Sequence, residues 1–194
     1  MQVCPANRFM AVKATIYKIE LQISDMDRHY YASHALTLAR HPSETDERLM
    51  VRVLAFALHA EDRLEFGKGL STDEEPDLWL RERNGDIGLW IDLGQPELSR
   101  IRKACSRSHQ VVVVNYGGRS ADLWWGKIEA DLRRFRNLTV LDIDAGSVAS
   151  LGALAERGLR LQCLIQDRHV QMFAGEALIG IDPRVRMSPS GAGA

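Results

Sequence analysis

The sequence predicts a mixed α/β (α+β) chain: a central mixed β-sheet flanked by helices, with an N-terminal β-hairpin and a C-terminal β-meander. Three observations predict it. Ala11–Ser24 alternates apolar and polar side chains, and His29–Ala39, rich in Tyr, Leu and Thr, returns after the turn Asp25–Arg28. From Ser43 to Ile143 helical stripes and short apolar runs follow in the order helix, strand, strand, helix, strand, helix, strand. Beyond residue 158, apolar stretches at Leu159–Ile165, Val170–Phe173 and Ala177–Ile181 are separated by polar and glycine-containing breaks, the pattern of a small antiparallel meander.

Length and composition set the limits. The 194 residues suit a single domain. Residues 1–9 read as a flexible extension, 10–182 as the domain and 183–194 as a disordered tail. Net charge is −1, so any nucleic-acid contact needs a local basic patch. Cys4, Cys105 and Cys163 are far apart and form no C-x-x-C pair. That argues for reduced thiols in a cytoplasmic protein, and against a disulfide framework or a zinc site. No apolar run reaches signal-peptide or membrane-spanning length, so neither secretion nor a membrane partner is expected.

In chain order, Ser43 is the expected N-cap of the first helix, with Glu44, Asp46 and Glu47 in its first turn. Leu49, Met50, Val53, Leu54, Ala57 and Leu58 form one buried stripe. Glu47, three residues before Met50, lies at the start of that inward face or else simply serves the helix dipole. An acidic loop, Leu70–Pro76, leads into the stretch Pro76–Gly94. Glu97–Ser108 is the second helix, with Leu98, Ile101 and Cys105 inward. Val111–Asn115 is apolar throughout, as expected of a strand buried on both faces. Ser120–Phe135 is the third helix, Leu138–Ile143 a further strand, and residues 145–156 a short fourth helix.

Pro76–Gly94 carries the chemistry. Asn84-Gly85 is a strong two-residue hairpin signal, and a type I′ turn there makes opposed residue numbers sum to 169. Trp79 then faces Trp90, and Asp77 faces Asp92. Opposed residues have Cβ atoms about 4.5–5.5 Å apart, and like charges there are destabilising. A divalent cation such as Mg²⁺ would compensate. The alternatives are a solvated pair at a sheet edge, or a pair sharing a proton.

These residues resemble a known pattern. Pro76-Asp77 followed by Asp92 on the next strand is similar to the PD-(D/E)XK nuclease superfamily. More narrowly, residues 10–180 resemble the bacterial YaeQ family, through Lys13–Lys18, Leu36–Glu44, Asp73–Trp79, Leu89–Gly94 and Arg100–Ala104. The resemblance implies a restriction-endonuclease-like core, with Glu47 as helix acid and Asp77 and Asp92 as strand acids. Together these three would hold Mg²⁺ or Mn²⁺. The signature lysine is missing, since Gly94 stands two residues after Asp92. Lys103 is the expected substitute and Lys13 the other candidate.

The resemblance thus implies metal-dependent phosphodiester hydrolysis, with Lys103 beside the attacking water and Arg100 and Arg119 as phosphate contacts. The alternative is a catalytically inactive nuclease-fold module that binds protein or nucleic acid. Trp79 and Trp90 would stack bases or serve as core beneath a helix. No G-x-S-x-G, Walker A or G-x-G-x-x-G is present, which leaves serine-hydrolase, P-loop and dinucleotide-binding readings without support.

Overall fold

The computed structural model describes residues 14–68 and 75–189. Its strands are β1 (Thr15–Asp25), β2 (Tyr30–Arg40), β3 (Leu64–Phe66), β4 (Leu78–Arg81), β5 (Ile87–Leu93), β6 (Ser108–Tyr116), β7 (Leu138–Ile143), β8 (Gly158–Gln166), β9 (His169–Ala174), β10 (Ala177–Ile181) and β11 (Arg184–Met187). The helices are α1 (Asp46–His59), α2 (Leu98–Arg107), α3 (Arg119–Leu132) and α4 (Ala145–Gly152).

The strands form two mixed sheets: the expected central sheet, and a second in which the N-terminal hairpin and the C-terminal meander, expected as separate additions, are joined. One has the order β10-β9-β8-β1-β2, the other β11-β7-β6-β5-β4-β3. Alternation along β1 buries Tyr17, Ile19, Leu21 and Ile23 on one face, which suits a sheet covered on one side only. The C-terminal meander lies alongside this hairpin because β8 pairs in parallel with β1. The two segments meet across more than a hundred residues of sequence, a pairing that no local pattern encodes.

Helix α1 lies between the sheets. Leu49 to Ala57 are buried without a break, and the main core joins them to Ile19, Leu21 and Met172 of one sheet and Ile91, Val112 and Val114 of the other. A second core packs Ile101, Ile128 and Leu132 of α2 and α3 against Trp90, Val111 and Val113. The Val111–Val114 run thus serves both cores alternately, as expected for a strand covered on both faces.

Three local expectations change. The N-cap of α1 is Thr45, whose hydroxyl accepts from the Arg48 N–H at 3.1 Å, rather than Ser43. Residues 184–187 pair with β7 as β11, so the expected tail from 183 begins as a sheet strand. The β4–β5 turn is not type I′. Only Gly85, at φ +92°, is left-handed, and Asn84 is not among the residues with positive φ. The Glu82 N–H bonds to the Asp86 carbonyl at 2.8 Å and closes a loop one residue longer. That loop pairs Arg81 with Ile87, a sum of 168, and the irregularity at Gly88 restores Leu80↔Leu89 and a sum of 169. The proposed extension 1–9, Cys4 and Lys13 lie outside the described residues, as does the acidic loop before Glu75.

Candidate functional site

The expected acids lie at the C-terminal end of β5, the end of an α/β sheet where ligands commonly bind. The corrected register keeps Leu78 opposite Ile91, and the Asp77 N–H bonds to the Ile91 carbonyl at 3.0 Å. Asp77 and Asp92 are 6% and 2% exposed. They lie close enough for the Asp77 charge to raise the Asp92 pKa. The two acids are therefore neighbours and buried rather than splayed at an edge, but the strand pairing starts at Leu78 and does not set them directly opposite each other.

Arginines compensate it. Arg100, from α2, grips Asp92 with Nε on Oδ2 at 2.9 Å and Nη2 on Oδ1 at 2.7 Å. The same Nη2 also donates to the Glu75 carbonyl at 2.8 Å. Arg48, from α1, places Nη2 2.5 Å from Asp77 Oδ1, while Asp77 Oδ2 accepts the Leu93 N–H at 2.9 Å. Bidentate and charge-assisted bonds of this kind are the strong class. The Asp77–Asp92 pair thus ties the helix on one side of the sheet to the helix on the other.

Burial pushes the Asp92 carboxyl above its usual range, and Arg100 works against that shift. For Arg48, burial disfavours the charge, but Asp77, Tyr116 and Glu44 more than offset it and hold the guanidinium above its ordinary value. Tyr116 is raised, by burial first. Its hydroxyl lies 3.5 Å from Arg48 Nη1, which also reaches the Leu93 carbonyl at 3.4 Å.

Glu47 does not join this group. Its side chain is exposed, and it packs where α1 crosses α4, so that a Cβ on Gly152 would meet its Cγ at 2.8 Å. The buried acid of this helix start is Glu44, at 5% exposure. Both Glu44 carboxylate oxygens accept from Arg52 Nη1, at 3.2 and 3.3 Å, and Arg48 Nε lies 3.8 Å from Oε1. Glu44, just before the N-cap, and Arg48 and Arg52 of α1 recur every four residues, a spacing that the sequence displays openly.

The donor set does not fit a metal. Both strand acids are engaged by guanidinium groups, and the expected third acid points elsewhere. Among the described residues no group of three or more His, Cys, Asp or Glu side chains is placed to hold an ion. The cation on Asp92 is Arg100. Lys103 is half-buried three residues further along the same helix. Gly94 has φ +84°, a left-handed conformation that disfavours lysine. Arg119 is exposed at the first turn of α3, after the left-handed Gly117 and Gly118. Beside it, Gln95 donates to Asn115 Oδ1 at 2.7 Å and to the Tyr116 carbonyl. Trp90 is core beneath α2. Trp79 is half-buried, with the Arg81 guanidinium 4.6 Å above its ring.

The two-sheet fold, with a buried acid pair clamped by arginines from two helices, defines a mixed α+β domain with a polar joint at the C-terminal end of β5. The chain belongs to the YaeQ family, whose model, described as YaeQ protein, matches residues 10–183. It is 46% identical over 158 residues to a Salmonella typhi protein and 45% identical to one from Escherichia coli K12, each called "Uncharacterized protein YaeQ". Each match covers 81% of this chain and 87% of the relative. The crystal structure of YaeQ protein from Xanthomonas axonopodis pv. citri superposes with a TM-score of 0.89 at 58% identity, over 91% of this chain and all of that one. YaeQ protein from Pseudomonas syringae gives 0.87 at 30% identity, over 90% and 97%. No helix among the described residues is long and apolar enough to cross a membrane.

Proposed function

We propose that this chain is a catalytically silent relative of the PD-(D/E)XK nucleases, a nucleic-acid-binding module in which arginines stand where a divalent cation would. The observation that carries this reading is the bidentate hold of Arg100 on Asp92, matched by Arg48 on Asp77. A carboxylate already bound by a guanidinium is a poor ligand for Mg²⁺, which takes carboxylates only in near-ideal octahedral geometry. The exposed Arg119, at the ligand-binding end of β6, supplies the phosphate contact.

The test pairs binding with cleavage. Labelled single- and double-stranded oligonucleotides are expected to raise anisotropy without being cut, and Arg119→Ala is expected to weaken binding and to lower the salt slope by about one. Calorimetry is expected to show no heat from Mg²⁺ or Mn²⁺. The reading fails if neither oligonucleotide binds.

A second reading, metal-dependent phosphodiester hydrolysis, is favoured by one observation: Asp77 lies close enough to Asp92 for its charge to raise the Asp92 pKa. Mn²⁺-dependent cleavage that disappears in Asp92→Asn would establish it in place of the first.

A further inference from the structure

Strand β2 is eleven residues long and pairs with β1 without a bulge, from Asp25↔Tyr30 to Thr15↔Arg40. It ends the five-stranded order, so its other side has no neighbour among the described residues. Such an edge is a template for another strand, and natural proteins blunt it with lysines, prolines, bulges or short length. β2 has none of these devices. Apart from His34, no residue from Tyr30 to Ala39 is ionisable except by its tyrosine hydroxyls, and the one formal charge, Arg40, stands at the end. Its outward row of Tyr31, Ser33, Ala35, Thr37 and Ala39 is exposed throughout.

We propose that a second copy of this chain occupies that edge, pairing β2 with β2 antiparallel about a two-fold axis at Ala35. Paired residue numbers then sum to 70 and the whole strand is used. On the outer face Ala35 meets its counterpart, Ser33 meets Thr37, and Tyr31 meets Ala39. On the inner face His34 meets Leu36, Ala32 meets Leu38, and Tyr30 meets Arg40. Ser–Thr pairs and an aromatic ring opposite a cation are favourable cross-strand partners.

Charge selects this orientation. Antiparallel pairing sends the two Arg40 side chains to opposite ends, whereas parallel pairing would set them side by side. One strand further in, Glu20 lies opposite Ala35, Lys18 opposite Thr37, and Gln22 opposite Ser33. Each Lys18 row therefore continues into the neutral Gln22 row of the second copy. The two Glu20 rows stay two strands apart, each glutamate neutralised by its own Arg160 at 2.9 Å. The product is an isologous ten-stranded sheet.

Light scattering and sedimentation velocity on the full chain test this. The expected mass is twice 21.8 kDa. Ala35→Lys sets two ammonium groups against each other across the axis, yet within its own copy it faces Glu20, which preserves the monomer. This variant is expected at 21.8 kDa with an unchanged circular-dichroism spectrum and melting temperature. Mixing it with Ala35→Glu is expected to recover the dimer mass. A monomeric full chain overturns the proposal, as does an Ala35→Lys variant that still dimerises. So does a chain that dimerises only once residues 1–13 are removed, because the edge would then be occupied by the chain's own N-terminal segment.

Discussion

Arg100 and Asp92, eight residues apart and on different elements, are joined by two parallel hydrogen bonds of 2.9 and 2.7 Å. Asp92 is 2% exposed and Arg100 about a quarter exposed, so the pair is only partly screened. Removing one partner of such a pair leaves a buried charge without compensation. Arg100→Ala is therefore expected to cost about 2–4 kcal/mol in urea unfolding, and Asp92→Asn in that background to recover part of it. The pH dependence has a definite sign. Burial already raises the folded Asp92 pKa, and loss of Arg100 raises it further. The folded variant then binds more protons than the unfolded chain, so its deficit narrows as pH falls and widens as pH rises.

Glu44 and Glu47 sit three residues apart and have opposite expected effects. Glu44 is enclosed with Arg52, itself 2% exposed, and its removal strands that guanidinium. Glu44→Ala is expected to destabilise by about 3 kcal/mol. Glu47 is exposed, so Glu47→Ala should stay within about 0.5 kcal/mol of the parent. Denaturant midpoints measured side by side decide between them. If Glu47→Ala proves the costlier, the assignment of the buried helix acid is wrong.

How far the sequence disclosed all this depended on range. Periodicity within ten or so residues showed the hairpin, the stripe of α1 and the doubly buried Val111–Val114. Pairing between distant segments left no such trace. The β1–β8 contact joins the expected hairpin and meander into a second sheet, and β11 extends the central sheet with residues expected as tail. The acids illustrate the middle range. Trp79 and Trp90 face each other as the register predicts, yet by another route: a longer loop shifts the count by one and the Gly88 irregularity shifts it back, while Asp77, just before β4, comes near Asp92 without being paired to it. Their partners were harder to see. Arg48 carries no signal that it reaches Asp77, although its four-residue spacing from Glu44 and Arg52 is visible in the sequence. The sequence suggests Arg100 only as a phosphate contact, because nothing local says that a helical arginine turns back onto the preceding strand.

His59 makes stability pH-dependent on the acid side. It closes α1 beside Arg28, whose guanidinium donates to the Ala57 and Ala60 carbonyls and is held by Asp25 at 2.6 Å. Burial, then the Arg28 charge, lowers its pKa from 6.5 to about 4, and its Nε2 is enclosed without a hydrogen-bond partner. Between those two values the unfolded chain binds the extra proton and the folded chain does not. Stability therefore falls as pH drops from about 6.5 toward 4, by up to about 3 kcal/mol from this group. His59→Gln should flatten that part of the profile in urea titrations at pH 7 and 4.5. An unchanged slope would place the acid sensitivity elsewhere.

Gly94→Lys asks whether a missing lysine is all that separates this chain from a nuclease. The position follows Asp92 by two residues, where the proposed likeness to the PD-(D/E)XK nucleases would call for a cation. Gly94 stands at φ +84°, with its N–H bonded to the Val114 carbonyl at 2.9 Å. A Cβ there would lie 3.9 Å from Arg48 Nη1 and 3.8 Å from the Tyr116 ring. Space is sufficient, so the cost is conformational, about 1–2 kcal/mol for an L side chain in the left-handed region. A lysine would also bring a second cation toward Arg48, while leaving Asp77 and Asp92 bound to their arginines. The variant is expected to melt a few degrees lower and to gain no Mn²⁺-dependent cleavage. Cleavage gained on this single change would mean that a cation can displace the arginines, and that the site is a nuclease centre lacking one residue.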